Sequence, residues 1–234
     1  MMILIADLHF GNERDSFMTD DGIPIQRKDL LNVLNHVTDL CRREGHALVI
    51  AGDVFNRVNP KSETVAACFG FLAENTDVET YVIPGNHDAS AAWLSTEMTL
   101  NSGFSNVHTF NEPTIEEVSD STGSASVLFY PHIPLADRES TTDIHDMMAN
   151  SPSIDFAVTH GQAVDYSNDI FFEAGDALKL NLARTEGLIL AGHVHDQGAH
   201  IGISGQVVYP GSLTVNNFGE VDETKGYLKV DLRT

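Results

Sequence analysis

With 234 residues, 42% of them hydrophobic, the chain can bury a sizeable core, and it has no apolar run of about 18 residues that would cross a membrane as a helix. Its formal net charge of −21, with only five lysines, argues against the basic footprint usual in nucleic-acid binders. That charge fits either a substrate other than a polyanion or an acidic surface suited to high salt, where screening shortens the reach of each charge.

Met2–Ala6 reads as a buried strand that starts almost at the N-terminus; a cleaved leader would remove it, so a cytoplasmic protein is expected. Arg27–Arg43 carries apolar residues at 30, 31, 34, 37, 40 and 41, the 3.6-residue period of an amphipathic helix, and Gly45 closes it. Ala47–Ala51 is a second strand. Ser62 is a suitable N-cap for a helix over Glu63–Ala73. Glu79–Ile83 is a third strand. This alternation implies βαβ crossovers and a parallel sheet. Cys41 and Cys68 fall within the two helices and read as reduced thiols rather than a disulfide framework.

The second half is richer in strands. Ile115–Val118 and Ser126–Tyr130 form a hairpin across the polar stretch Ser119–Ala125. Ile154–Thr159, Gly187–Ala191, His200–Ile203, Gln206–Tyr209 and Gly226–Leu232 complete the set, with Ser204-Gly205 as the turn between His200–Ile203 and Gln206–Tyr209. No internal linker or repeat is visible. The predicted fold class is α/β, a two-sheet α/β/β/α sandwich of mixed parallel and antiparallel strands in one domain over residues 1–234.

Five polar motifs sit at the ends of these strands: Asp7-x-His9, Gly52-Asp53, Gly85-Asn86-His87-Asp88, Thr159-His160-Gly161 and Gly192-His193-Val194-His195. Taken singly, D-x-H or G-D is weak, and G-N-H-D is the most specific. Together they supply carboxylates, imidazoles and one amide with no thiolate, a donor set for Mn²⁺, Mg²⁺, Fe²⁺ or Zn²⁺. Asp7, His9, Asp53, Asn86, His160, His193 and His195 are the candidate ligands. Two such cations neutralise a phosphodiester and activate water beside it, and a carboxylate shared between them, for which Asp53 is the natural candidate, fixes their separation. The leaving oxygen needs a proton, which a histidine can supply.

The order of these motifs resembles the calcineurin-like metallophosphoesterases, and within them the Mre11/SbcD nuclease branch. Gly52-Asp-Val-Phe55 with Pro60, and Tyr209-Pro-Gly-Ser212 followed by Lys225-Gly226 and a last strand, carry the narrower likeness. The resemblance implies that Asp53 bridges two metals, with Mn²⁺ the favoured ion. Asp7, His9 and His195 would complete one site, and Asn86, His160 and His193 the other. His87 would contact the scissile phosphate and protonate the leaving oxygen, with Asp88 orienting it from behind. The implied activity is DNA exo- or endonuclease. A nucleotide phosphodiesterase or a phosphatase is the alternative, and a metal-binding scaffold without catalysis the more distant one.

The branch usually works with a Rad50/SbcC-like ATPase and forms a homodimer through helices near the first motifs, where Phe69 and Phe71 are candidate exposed groups. The capping and ATPase-docking segments that follow the nuclease domain in that branch are not expected here, and a compact version of this kind suits a viral genome and a host cytoplasm. Arg57, in Gly52-Asp53-x-x-x-Arg57, either holds substrate phosphate or pairs with a surface carboxylate. His132 and His200 read as core or rim histidines, and His36, His46, His108 and His145 as surface or helix-face residues. Trp93 reads as a packing anchor or a base-stacking group.

Overall fold

In the computed structural model of the protein, residues 1–13, 17–88, 103–165 and 177–232 are described. Trp93 lies outside them. Side-chain alternation along the first strands sets the layers. In β1 (Met2–Ile5), Ile3 and Ile5 face one way, against Leu30, Leu34 and Val37 of helix α1 (Ile25–Glu44). Met2 and Leu4 face the other way. The same division holds in β2 (Ala47–Ala51), where Leu48 and Ile50 join the helix layer and Ala47, Val49 and Ala51 the opposite one. Helix α2 (Ser62–Glu74) adds Cys68, Phe71 and Leu72 to the first layer.

The inner layer is closed by a second sheet. Val127 and Phe129 of β6 (Ser124–Tyr130), Phe156 and Val158 of β7 (Phe156–Val164) and Leu190 of β9 (Glu186–Gly192) pack on Met2, Leu4 and Val49. The far face of that sheet, with Leu128, Tyr130, Ile189 and Val207, is covered by Ile144 of α3 (Ile144–Asn150). Three buried apolar layers between four structural ones give the α/β/β/α sandwich that the sequence predicts.

The first sheet runs β12-β1-β2-β3-β4, with β3 at Thr80–Ile83, β4 at Val107–Thr109 and β12 at Leu228–Val230; only β12 is antiparallel to its neighbour. The second runs β10-β11-β9-β7-β6-β5, with β5 at Thr114–Ser119, β10 at Gly198–Ile201 and β11 at Ser204–Tyr209; β8 (Leu178–Asn181) pairs beside β7. Strands β1, β2 and β3 are mutually parallel, as are β7 and β9. The carboxyl ends of each set therefore share an edge, where an α/β sheet commonly holds its ligands.

Several expectations need correction. Helix α2 begins at Ser62 itself, with Lys61 in the N-cap position and no side-chain cap. The β10–β11 turn falls one residue earlier than Ser204-Gly205, because the Gly202 amide donates to the Gly205 carbonyl and Ser204 already pairs with Glu186. Strands β4 and β8 and helix α3 are additions; α3 is capped by the Asp143 carboxylate on the His145 amide. His46 and His145 are buried rather than superficial, and both bond to aspartates, Asp120 and Asp143. Phe71 is a core residue rather than an exposed one, and Phe69 is half-buried against Phe104. Gly45 closes α1 in the left-handed region, φ 69°, and both cysteines are free and buried, as predicted. No described helix is long and apolar enough to cross a membrane.

Tyr209 locks the second sheet behind the motif edge. Its hydroxyl donates to the Gly161 carbonyl at 3.1 Å and accepts the Ala163 amide at 2.7 Å, two residues beyond the Thr159-His160-Gly161 motif. Tyr209→Phe removes both bonds and strands a backbone N–H, so it should cost about 1–3 kcal/mol in denaturant unfolding with an unchanged slope.

Candidate metal centre

Seven sequence-predicted ligands meet at the shared strand edge. Asp7 and His9 follow β1, Asp53 follows β2, Asn86 follows β3, and His193 and His195 follow β9. His160 differs from expectation, since it lies within β7 rather than on a loop after it. Four non-glycine residues among those described have positive φ, and all four are candidate ligands: Asp7 at 55°, His9 at 48°, Asp53 at 51° and His193 at 93°. Left-handed backbone at non-glycine residues is strained, and such strain gathers at functional sites.

Backbone bonds hold the loops in this shape. The Asp7 amide donates to the Gly52 carbonyl and the His9 amide to the Asp53 carbonyl, while the Asp7 carboxylate accepts the His193 amide. Gly85 is required by close approach: a Cβ there would stand 2.2 Å from the Asp53 carboxylate. The Asp88 carboxylate, buried, accepts the amides of Val54, Phe55 and Gly85 and so ties the β2 and β3 loops together. It does not stand behind His87, as the sequence suggests. The His87 Nδ1–H donates instead to the Asn56 carbonyl at 3.0 Å, which leaves Nε2 facing outward over Asp53 Oδ2 at 3.9 Å.

The Asp53 carboxylate is nearly inaccessible, and its two oxygens look in different directions. Oδ2 is 3.8 Å from His9 Nε2, and Oδ1 is 3.5 Å from His160 Nε2. Around His9 stand His195 Nε2, at 3.1 Å, and Asp7, whose Oδ1 is 3.8 Å from His195 Nε2. Around His160 stand Asn86 Oδ1 at 3.1 Å and, on the far side of that amide, His193 Nδ1 at 3.1 Å.

These contacts fit divalent cations better than they fit one another. His160 Nδ1 donates to the Ala51 carbonyl at 2.9 Å, so in the neutral ring Nε2 is a lone pair aimed at two oxygen acceptors. His195 Nδ1 donates to Glu220 Oε1 at 2.8 Å, so its Nε2 is likewise a lone pair, aimed at His9 Nε2. His9 Nδ1 is buried without a hydrogen-bond partner. Adjacent ligands on one octahedral cation at about 2.1 Å stand about 3 Å apart, close to the separations seen. His9, Asp7 and His195 form one such group, and Asp7, Asp53 and His160 another.

Charge follows the same geometry. Burial alone would raise Asp53, but the imidazoles of His160, His9 and His87 outweigh it and hold the carboxyl well below the usual range. Burial alone would lower His160, but Asp53 outweighs it and raises the imidazole to about 9. Burial lowers His9 to about 3 and, with the His160 charge, His193 to about 4. Burial, with Asp53 adding to it, lifts Asp7 to about 6 and Asp88 to about 7.

Arg57 is exposed, in a cleft with Phe10, Met18, Pro60 and Lys61, and has no carboxylate partner among the described residues. His132 is buried near His193, while His200 lies on β10 against Tyr209 and takes no part in the centre. Sequence reasoning missed Glu220 and the Asn56 carbonyl. The signal for Glu220 was available as an acid inside the Tyr209–Gly226 tail; a backbone carbonyl leaves none.

A sandwich with a clustered cation-donor set at its strand ends is the arrangement of a metal-dependent hydrolase. The calcineurin-like phosphoesterase model matches residues 2–197, and the chain belongs to that family. No curated protein sequence matches it. Among solved structures, a Staphylococcus aureus protein assigned as a 5′-nucleotidase is similar at 14% identity and a TM-score of 0.51, over 90% of this chain and 48% of that one, so this chain spans about half its length. An archaeal phosphodiesterase shares 11% identity at a TM-score of 0.44, over 91% of this chain and 84% of its own. The Mycobacterium tuberculosis phosphopantetheinyl hydrolase shares 14% at 0.48, over 90% and 89%. At these identities the likeness bears on fold alone.

A cation binding at His160 Nε2 has to displace the proton that Asp53 holds there. Because the imidazole is raised to about 9, apparent divalent-ion affinity should rise about tenfold per pH unit below that value and level off above it. Calorimetry in two buffers of different ionisation enthalpy should count about one proton released from His160 near neutral pH, and a proton-neutral titration would contradict this account.

Proposed function

We propose that the protein is a Mn²⁺-dependent DNA nuclease of the Mre11/SbcD kind, hydrolysing phosphodiesters without a covalent intermediate. The observation that carries this reading is the packing of the nuclease-type tail onto the metal centre. Ser212 of Tyr209-Pro-Gly-Ser212 donates its amide to the His195 carbonyl at 3.0 Å and bridges to Ala6. Lys225 of Lys225-Gly226 donates to the same carbonyl at 3.1 Å. The residues that carry the resemblance to the nuclease branch are thus residues that hold a ligand loop.

Two divalent ions in such a centre supply charge neutralisation and activation of water beside the phosphorus. In the proposed roles, Asp53 would be shared between both ions. Asp7, His9 and His195 complete one site, and Asn86, His160 and His193 the other. Neutral Asn86 contributes a donor without adding negative charge toward a phosphate. His87, half-exposed and fixed through Nδ1 by the Asn56 carbonyl, keeps Nε2 free to hold a proton and pass it to the leaving oxygen. Arg57, exposed in the cleft beside Phe10, is assigned the role of meeting substrate phosphate. Asp88 acts through the backbone it bonds.

The −21 charge favours a second reading, a phosphodiesterase or phosphatase for small nucleotides, since seven Lys and Arg side chains among the described residues are tied to carboxylates: Arg27 to Glu13, Arg42 to Asp77, Arg43 to Glu44, Lys61 to Glu63, Arg184 to Asp146, Lys225 to Glu220 and Lys229 to Glu44. The two readings separate on salt. If DNA is the substrate, screening relieves repulsion, and cleavage should be sustained or increase between about 0.1 M and about 1 M salt. Release from single-stranded and duplex DNA is to be compared with bis-p-nitrophenyl phosphate and mononucleotides. Hydrolysis of the small esters with intact DNA at every salt concentration would overturn the nuclease reading.

Two substitutions test the roles. His87→Ala should lower cleavage by about 10²- to 10⁴-fold while Mn²⁺ binding stays as in the parent. Asp53→Ala should abolish paired Mn²⁺ binding itself, measured by calorimetry. Parental cleavage by His87→Ala would remove the proton-donor role.

A further inference from the structure

We propose that Glu220 is the positioning residue that fixes the tautomer and aim of His195, making the tail part of the first cation site. This inference rests on the paired-metal reading above. Glu220 Oε1 lies 2.8 Å from His195 Nδ1. A carboxylate only accepts, so the imidazole hydrogen stays on Nδ1 and the Nε2 lone pair is turned toward His9 Nε2 and Asp7. An imidazole backed by a carboxylate is held in orientation and is a stronger donor to a metal.

Glu220 is itself immobilised. Its Oε2 accepts the Asn216 amide at 2.9 Å and the Lys225 ammonium at 2.8 Å, and its Oε1 also accepts the Asn217 side-chain amide. It is only 4% exposed, yet it stands on a short 3-10 turn, Phe218–Glu220, whose neighbours Phe218 and Val221 are 95% and 63% exposed. A turn that leaves its apolar groups in water and buries its acid is not built for packing. A buried carboxylate–lysine pair contributes little net stability on its own. The arrangement makes sense if the buried anion acts on the ring it touches.

The centre is asymmetric in this respect. His160 is backed by a neutral carbonyl, that of Ala51, and His195 by a full negative charge. The site built on Asp7, His9 and His195 is therefore the one whose affinity depends on the tail.

Two measurements test this. Nitrogen-15 histidine spectra of the metal-free parent should show His195 protonated at Nδ1 and bare at Nε2, and the opposite tautomer would overturn the proposal without any variant. Mn²⁺ calorimetry at fixed pH should show two ions bound by the parent, with Glu220→Gln weakening one of them by about 10- to 100-fold and leaving the other unchanged. Glu223→Gln, which removes the other carboxylate on Lys225, should bind both ions as the parent does. Equal binding of both ions by Glu220→Gln and the parent, with His195 still aimed by other groups, would reduce Glu220 to a tie for the tail and overturn the inference alone. A parent that takes up no Mn²⁺ would overturn the paired-metal reading and this inference with it.

Discussion

The organisation of the molecule turns on one buried anion. The Asp53 carboxylate sits at the meeting edge of two sheets, nearly out of reach of water, with histidines on both sides. A charge so placed costs several kcal/mol in solvation unless something positive lies beside it. Without a metal the compensation is a proton held on His160. The surrounding backbone accepts strain to keep the arrangement, with Asp7, His9, Asp53 and His193 all in the left-handed region. Glycine at 85 lets the β3 loop close onto the carboxylate, and Asp88 stitches that loop to the one carrying Asp53. The apolar layers make the frame rigid enough to sustain this strain.

Much of the frame was legible because strand alternation and helical period are properties of single segments. Leu30, Leu34, Val37 and Cys41 announce the buried stripe of α1 without reference to any partner, and Ala47–Ala51 announces a strand buried on both faces. The candidate ligands were legible because polar residues at the ends of apolar runs have few packing reasons to be there. What escaped depended on distant contacts. His160 reads as a loop residue because Gly161 and Gln162 break the apolar run, yet β8 pairs alongside and extends β7 to Val164. Asp88 reads as a partner of its neighbour His87, whereas its bonds reach back to Val54 and Phe55. Glu220 lies 25 residues from His195, and no local pattern links them. His46 and His145 look superficial on their elements until aspartates from elsewhere, or from a helix cap, meet them.

The charge distribution gives the family chemistry an unusual setting. A donor set for cations is itself anionic, and here it lies in a chain that is anionic almost throughout. Attraction of divalent ions is favoured over long range, while a polyanionic substrate is repelled until it comes close. The cleft that contains Phe10 holds both signs, Arg57 and Lys61 with Glu13 and Glu63, and Lys61 is paired to Glu63 at 3.8 Å.

The candidate group of Asp7, His9 and His195 joins segments of the chain that lie far apart in sequence. Asp7 and His9 come from its opening strand, His195 from its last third, and the clasp on His195 from residues 212–225, just before β12 pairs back onto β1. During synthesis on a ribosome, the opening half can form its βαβ layer early, but the donors it contributes remain half a site. The closing strand and its preceding tail have to emerge before His195 can be seated. The emerging polypeptide therefore cannot seat His195 before residues 212–225 have followed it, and deleting those residues would unseat His195 while sparing most of the core.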